Sequence, residues 1–263
     1  MGFSIRKFLI LASAFLGSTG AQGEDWKLLE DSRTKGPPTL VKKIAQSGSN
    51  KVTLTLVEFS TNDFTLKVVD QGSSQDDLKY SNLRDAMEKN GCVAGLNGGF
   101  FGADFKALGA VYEDGKKIAP YYDSNRNGLA SGVIWSGAGG IHIVRRQEFK
   151  GGAEVQQAIQ TGPMLISNGA KVKGLSTSRP RPRSFVLTDW KGTWMIGTSS
   201  FVTLAELAEV LNSPQVFKNM KVNRAINLDG GRSTGFYLKQ PNGKVIYRSE
   251  MSDVRNFLGI VPK

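Results

Sequence analysis

The chain has 263 residues, 40% of them hydrophobic and 22% charged, which supports one sizeable core and excludes wholesale disorder. Its formal net charge of +11 favours anionic partners. The single histidine, His142, sits in Gly-Ile-His-Ile-Val and reads as a strand residue, which tells against a Ser-His-Asp triad, an HExxH zinc site and paired-histidine phosphoryl transfer. The single cysteine, Cys92, excludes an internal disulfide and any CxxC zinc site, and reads as a buried thiol.

Residues 1–23 have the grammar of a secretory signal peptide: Arg6 and Lys7, an apolar run from Phe8 to Phe15, then a small-residue region from Gly17 to Gly23. The expectation is an exported protein, periplasmic or extracellular, without stable membrane insertion once the signal is removed. Losing Arg6 and Lys7 leaves a charge of about +9, still strongly basic. No recognition-helix, RRM, KH or zinc-finger pattern accompanies that charge, so nucleic acid is not an expected partner.

Residues 24–50 are a polar lead-in, broken at Gly36-Pro37-Pro38 and suited to an edge strand. Val52 to Glu58 and Phe64 to Val69 alternate apolar and polar residues around Ser60-Thr61-Asn62-Asp63, which predicts a hairpin. A short helix is expected over Ser81 to Asn90, capped by Ser81 and ended by Gly91, followed by an apolar strand from Cys92 to Leu96. Further strands are expected at Leu108 to Glu113, Gly132 to Trp135, Ile141 to Val144 and Met164 to Ile166, with turns at Asp114-Gly115 and Asn168-Gly169. Ser184 to Asp189 and Thr193 to Thr198 form a second predicted hairpin. Thr203, with Glu206 three residues on, caps a helix whose Leu204, Leu207, Ala208 and Leu211 share one face. Ala225 to Leu228 is a buried strand, and Phe236 to Leu238 pairs with Val245 to Tyr247 around Pro241-Asn242-Gly243.

Many strands and few helices predict an α+β fold: one domain over residues 51–263, with a mixed, largely antiparallel sheet flanked by a few short helices.

Two strand-to-loop junctions share a pattern of a polar side chain followed by paired glycines. Asn97 precedes Gly98-Gly99, and Asp229 precedes Gly230-Gly231, with Arg232 and Ser233 next. Paired glycines let backbone amides converge on an anion, although ordinary glycine turns have the same composition. Between the junctions lie Thr161-Gly162-Pro163 and the basic run Arg181-Pro182-Arg183-Ser184. Arginine's planar fork suits phosphate oxygens, whereas a proline-rich surface linker would carry the same residues in solvent.

In this order, Asn97 to Phe101, Thr161 to Pro163, Arg181 to Ser184 and Asn227 to Thr234 resemble the blocks of the phosphodiester glycosidase family, across roughly residues 90–261. Arg232 stands where that family commonly has a third glycine, and in the basic block only Pro182 and Arg183 match outright. The resemblance implies hydrolysis of a sugar 1-phosphodiester between the anomeric carbon and the phosphate oxygen, acting on a sugar-phosphate diester or anionic glycan. Asp229, Asn97, Arg183 and Thr161 are then the catalytic candidates. Gly98, Gly99, Gly162, Arg181, Ser184, Gly230, Gly231, Arg232 and Ser233 are the substrate or phosphate-binding ones. Phe100 or Phe101 would wall the sugar, and Asp104, Glu113 and Asp123 are candidates for a second carboxylate. No metal or cofactor is expected, because no ligand cluster has recognisable spacing. A non-catalytic anionic-glycan module and a phosphorus-attacking phosphodiesterase are the alternatives.

Overall fold

The computed structural model describes residues 25–123 and 128–263; the predicted signal segment lies outside them. In chain order the elements are β1 (Lys27–Arg33), β2 (Thr39–Ser47), β3 (Asn50–Ser60), β4 (Phe64–Asp70), α1 (Leu83–Lys89) and β5 (Ala94–Asn97). There follow β6 (Val111–Glu113), β7 (Lys116–Ala119), β8 (Gly132–Gly137), β9 (Gly140–Arg145), β10 (Gln157–Thr161), β11 (Met164–Ser167) and β12 (Ala170–Lys171). The last are β13 (Arg181–Thr188), β14 (Thr193–Val202), α2 (Leu204–Asn212), β15 (Arg224–Asn227), β16 (Phe236–Lys239), β17 (Val245–Arg248) and β18 (Asn256–Pro262).

The strands make three sheets instead of one: an eight-stranded sheet in the order β1-β2-β3-β14-β13-β15-β11-β12, a five-stranded sheet β7-β6-β10-β8-β9, and a five-stranded sheet β17-β16-β5-β18-β4. Pairing among the described residues is antiparallel, so the fold is α+β with two short helices. The lead-in supplies two strands, β1 and β2, that extend the large sheet from β3.

Strand alternation sorts side chains between two layers. Val57, Val186 and Ile196 of the large sheet meet Ile134, Ile143 and Ile159 of the second sheet and Leu96, Phe236 and Leu258 of the third in one shared core. Their neighbours Leu56, Phe185, Leu187 and Met195 face the other way, under α2, where Leu207, Val210 and Leu211 complete the packing. Burying each such aliphatic side chain contributes about 1.5–3 kcal/mol. Thr203 caps α2 as expected: its hydroxyl accepts from Glu206 N–H and the Glu206 carboxylate accepts from Thr203 N–H.

Two expectations change. Ser60-Thr61-Asn62-Asp63 does not close a hairpin, because β3 pairs with β2 and β14 while β4 pairs with β18, so this turn carries the chain from one sheet to another. The cap of α1 is Asn82, whose side chain accepts from Asp85 N–H at 3.0 Å, and not Ser81. The predicted turns do form with positive φ: 50° and 78° at Asp114-Gly115, 53° and 74° at Asn168-Gly169. His142 is a strand residue of β9, and Cys92 is a buried free thiol that burial pushes up to about 12.

Candidate active site

Register brings the two charged candidates together. Asn227 of β15 pairs with Phe185 of β13, and the ladder continues through Leu228 N–H to Ser184 O at 2.8 Å. Antiparallel counting therefore sets Asp229 opposite Arg183. The carboxylate and guanidinium attract one another, and Asp229 remains partly exposed. Burial nonetheless holds the Asp229 carboxyl above the ordinary value; a hydrogen bond from the Ser233 side chain, the Gly230 N–H and the Arg183 charge pull the other way. Burial also lowers Arg183, helped by the neighbouring Arg181 cation and opposed by Asp229.

Asn97, at the end of β5 in a different sheet, ties this loop to the third sheet. Its amide nitrogen donates to Asp229 O at 2.8 Å, while Asp229 N–H donates to Gly98 O at 3.1 Å. Its oxygen accepts from Ser184 Oγ at 2.5 Å and from Gly235 N–H at 3.2 Å. Asn97 and Ser184 are each fully buried, so the structure places them behind the carboxylate as its support. Thr161 is likewise buried, its hydroxyl donating to Asn227 O at 3.1 Å, and Asn227 donates from its side chain to Gly162 O at 2.9 Å.

The paired glycines work differently from an amide cradle. Gly98 N–H donates to Asn256 O at 2.8 Å, Gly99 N–H to Asn256 Oδ1 at 2.9 Å, and Gly230 N–H to its own neighbour Asp229 Oδ1 at 2.8 Å. Three amides expected to face an anion are thus engaged inside the protein. What Gly98 supplies is close approach: a Cβ there would lie 2.8 Å from the Asn256 carbonyl oxygen. At Gly230 a Cβ would lie 2.9 Å from Pro182 O, while Gly231 adopts φ +66° beside Arg181. Asn256, buried at the start of β18, is a support residue that sequence reasoning missed.

Positive charge dominates the exposed side. Arg183 is anchored by donating to Val202 O at 3.2 Å and Arg179 O at 3.1 Å. Arg181 is exposed. Arg232 is exposed too and donates to Met251 O at 2.9 Å, which fastens its loop to the segment before β18. Two further residues lacked a sequence signal: Phe201, 70% exposed in a bulge of β14 opposite Pro182, and Met251, 65% exposed beside Arg232.

The other candidates lie in different settings. Phe101 packs edge-on against Phe105 at 5.3 Å between ring centroids, and Phe100 is partly exposed. Asp104 pairs with Lys106 at 3.2 Å, Glu113 accepts from Asp70 N–H at 3.4 Å, and Asp123 faces Arg146 at 3.9 Å. Among the described residues, no group of three or more His, Cys, Asp or Glu gathers as metal ligands.

A family model described as phosphodiester glycosidase matches residues 90–261. The fold is similar to the zebrafish N-acetylglucosamine-1-phosphodiester alpha-N-acetylglucosaminidase catalytic domain, auto-inhibited by pro-peptide, with TM-score 0.57 and 16% identity over 93% of this chain and 85% of that one. A hypothetical protein from Synechocystis gives TM-score 0.56 and 15% identity over 90% of this chain and 68% of that one. At such identities the likeness is one of fold. The uncharacterized protein YigE of Escherichia coli is 32% identical over 91 residues, which span 33% of this chain and 36% of that protein.

Proposed function

The chain belongs to the phosphodiester glycosidase family, and on that footing we propose that it hydrolyses a sugar 1-phosphodiester by breaking the bond between the anomeric carbon and the phosphate oxygen. The observation that carries this reading is the opposition of Asp229 and Arg183 at one partly exposed strand end, on a loop clamped by Asn97.

The chemistry follows from the two charges. Arg183, with Arg181 beside it, binds the phosphate and stabilises the negative charge that grows on it as the bond to the sugar lengthens. A phosphate monoester departs as a stable anion, so the reaction needs less general-acid help than an ordinary glycoside, in keeping with a site lacking histidine. Asp229 faces the positive charge developing at the anomeric carbon, as electrostatic partner, nucleophile or base for water. Asn97, Ser184, Thr161 and Asn256 act through the backbone, fixing where Asp229 stands. Phe201 and Met251 give the rim apolar surface against which the sugar or aglycone packs. The basic, apolar and small-residue sequence of residues 1–23 supports export, and among the described residues no helix is long and apolar enough to cross a membrane.

The test is turnover of a panel of sugar 1-phosphodiesters in isotope-labelled water. Label is expected in the sugar, and Asp229→Ala is expected to abolish turnover while the fold persists. Label in the phosphate would reveal attack at phosphorus, and saturable binding without product would make the protein a glycan-binding module.

A further inference from the structure

A second feature lies at the far end of the large sheet. The β13–β14 hairpin presents Trp190 with its side chain 46% exposed and its backbone at φ +62°, a conformation an L-residue adopts only when its surroundings impose it. Those surroundings are specific. Trp190 N–H donates to Thr188 Oγ1 at 3.0 Å, and Asp189 Oδ1 accepts from Lys191 N–H at 2.7 Å and Thr193 N–H at 3.1 Å. The Arg224 guanidinium lies 5.8 Å from the Trp190 ring centroid, and Arg224 is itself held by donating to Ser167 Oγ at 3.0 Å. The turn thus fixes a large aromatic group before any partner arrives.

Trp190 opens a row of aromatic groups. His142 lies 6.3 Å from it and stacks on Trp135, its cross-strand partner, at 4.4 Å and 22°. Trp135 meets Phe149 at 6.2 Å, and Phe149 stacks on Tyr121 at 6.3 Å and 26°. Each of these four is partly exposed. At the Trp190 end the row borders an open hollow of about 230 Å³ whose rim includes Thr61, where the β3–β4, β8–β9 and β13–β14 turns converge. Cβ atoms added at Gly140 and Gly192 on that rim would touch nothing within 4 Å, so the glycines leave the hollow unobstructed.

We propose that the hollow at Trp190, rimmed by Thr61 and His142 and backed by the stacked rings, is a second saccharide-binding surface that holds an oligosaccharide away from the Asp229 site. The exposed Trp190 ring, fixed by its turn, suits the apolar C–H face of a sugar, the stacked rings behind it make the wall rigid, and Thr61 offers a hydrogen bond to ring hydroxyls. Burial lowers the His142 pKa against a hydrogen bond with the Gly139 backbone, which holds the imidazole in place on the rim. A strand rise of about 3.3 Å per residue puts Trp190 roughly 20 Å from Arg183, too far to touch the bond being cleaved. The surface therefore stands independently of the proposed hydrolysis.

The experiment titrates the full chain with tetrasaccharides of glucose, mannose, galactose and N-acetylglucosamine, read by intrinsic tryptophan fluorescence and by calorimetry. The Asp229→Ala background removes turnover from the measurement. At least one tetrasaccharide is expected to saturate, with affinity weakened by about tenfold or more in Trp190→Ala. Thr61→Arg, which fills the hollow and leaves the aromatic row in place, is expected to do the same and serves if Trp190→Ala misfolds. Saturation by none of the four, or unchanged affinity in both variants, overturns the proposal. So does adhesion to anionic phospholipid vesicles, or self-association lost in Trp190→Ala, in the absence of saccharide binding.

Discussion

Asp229 is a carboxylate with two opposed tendencies, and its titration is the sharpest check on the site. Burial raises its pKa, while Arg183 lowers it. Turnover that needs the ionised form falls as pH drops through the raised pKa, so the acid limb of kcat/KM lies above the ordinary carboxylate value of about 3.9. Arg183→Ala takes away a lowering charge and is expected to move that limb to higher pH, besides weakening the handling of the phosphate. A pH-rate series on both proteins decides this; an unmoved limb would separate the two residues electrostatically. Stability gives the complementary sign. A carboxyl whose folded pKa is raised stabilises the fold fully below the unfolded pKa and loses that contribution as pH rises through the folded pKa. Asp229→Asn is therefore expected to melt higher than the parent above that window, while turnover falls by about 10³-fold or more. Asp229 and Arg183 could be picked out in the sequence because each stands within a block of distinctive chemistry, Asn227 to Thr234 and Arg181 to Ser184. The work of Asn97 could not, since an amide's partners are decided by neighbours such as Asp229 and Gly235 that arrive from elsewhere in the chain.

The elements best foreseen were those whose signals are local. The capping box at Thr203, the Asp114-Gly115 and Asn168-Gly169 turns and the β13–β14 hairpin each depend on a few adjacent residues and formed as expected. Ser81 and Asn82 are both good cap residues, so composition alone leaves their order open. The structure gives the cap to Asn82, and Asn82→Ala is expected to cost about 1 kcal/mol in urea unfolding, with Ser81→Ala costing less. A larger loss in Ser81→Ala than in Asn82→Ala would return the cap to Ser81. β10 escaped notice because Gln157 and Gln160 look like surface residues, yet both are buried. Gln160 reaches across to the segment before β8, accepting from Tyr122 N–H at 2.8 Å and donating to Tyr122 O at 2.7 Å. Such a polar clamp has no periodicity to betray it.

At the level of the molecule, the sequence supported one α+β domain, but the division into three sheets lay beyond it. Strand partners such as β3 with β14 and β5 with β18 are far apart along the chain, and no local pattern specifies them. The misplaced hairpin at Ser60-Thr61-Asn62-Asp63 has the same origin, because a good turn between alternating segments does not state which sheet each segment joins. Strong positive charge also acts at this scale. Capture of an anionic substrate should slow as ionic strength rises, and kcat/KM is expected to decline with added salt more than kcat does. A flat salt profile would confine electrostatics to the immediate neighbourhood of Arg183.

The clamp at Asn97 joins a strand of one sheet to the loop of another, so the candidate site exists only where those two layers have docked. Neither half contains a working fragment of it. After dilution from denaturant, catalytic competence should accordingly be the last property to reappear, lagging behind the far-ultraviolet circular dichroism of the strands, which needs pairing within each sheet and not the docking of one sheet on another. Stopped refolding samples assayed at intervals would record that delay as a lag in product formation.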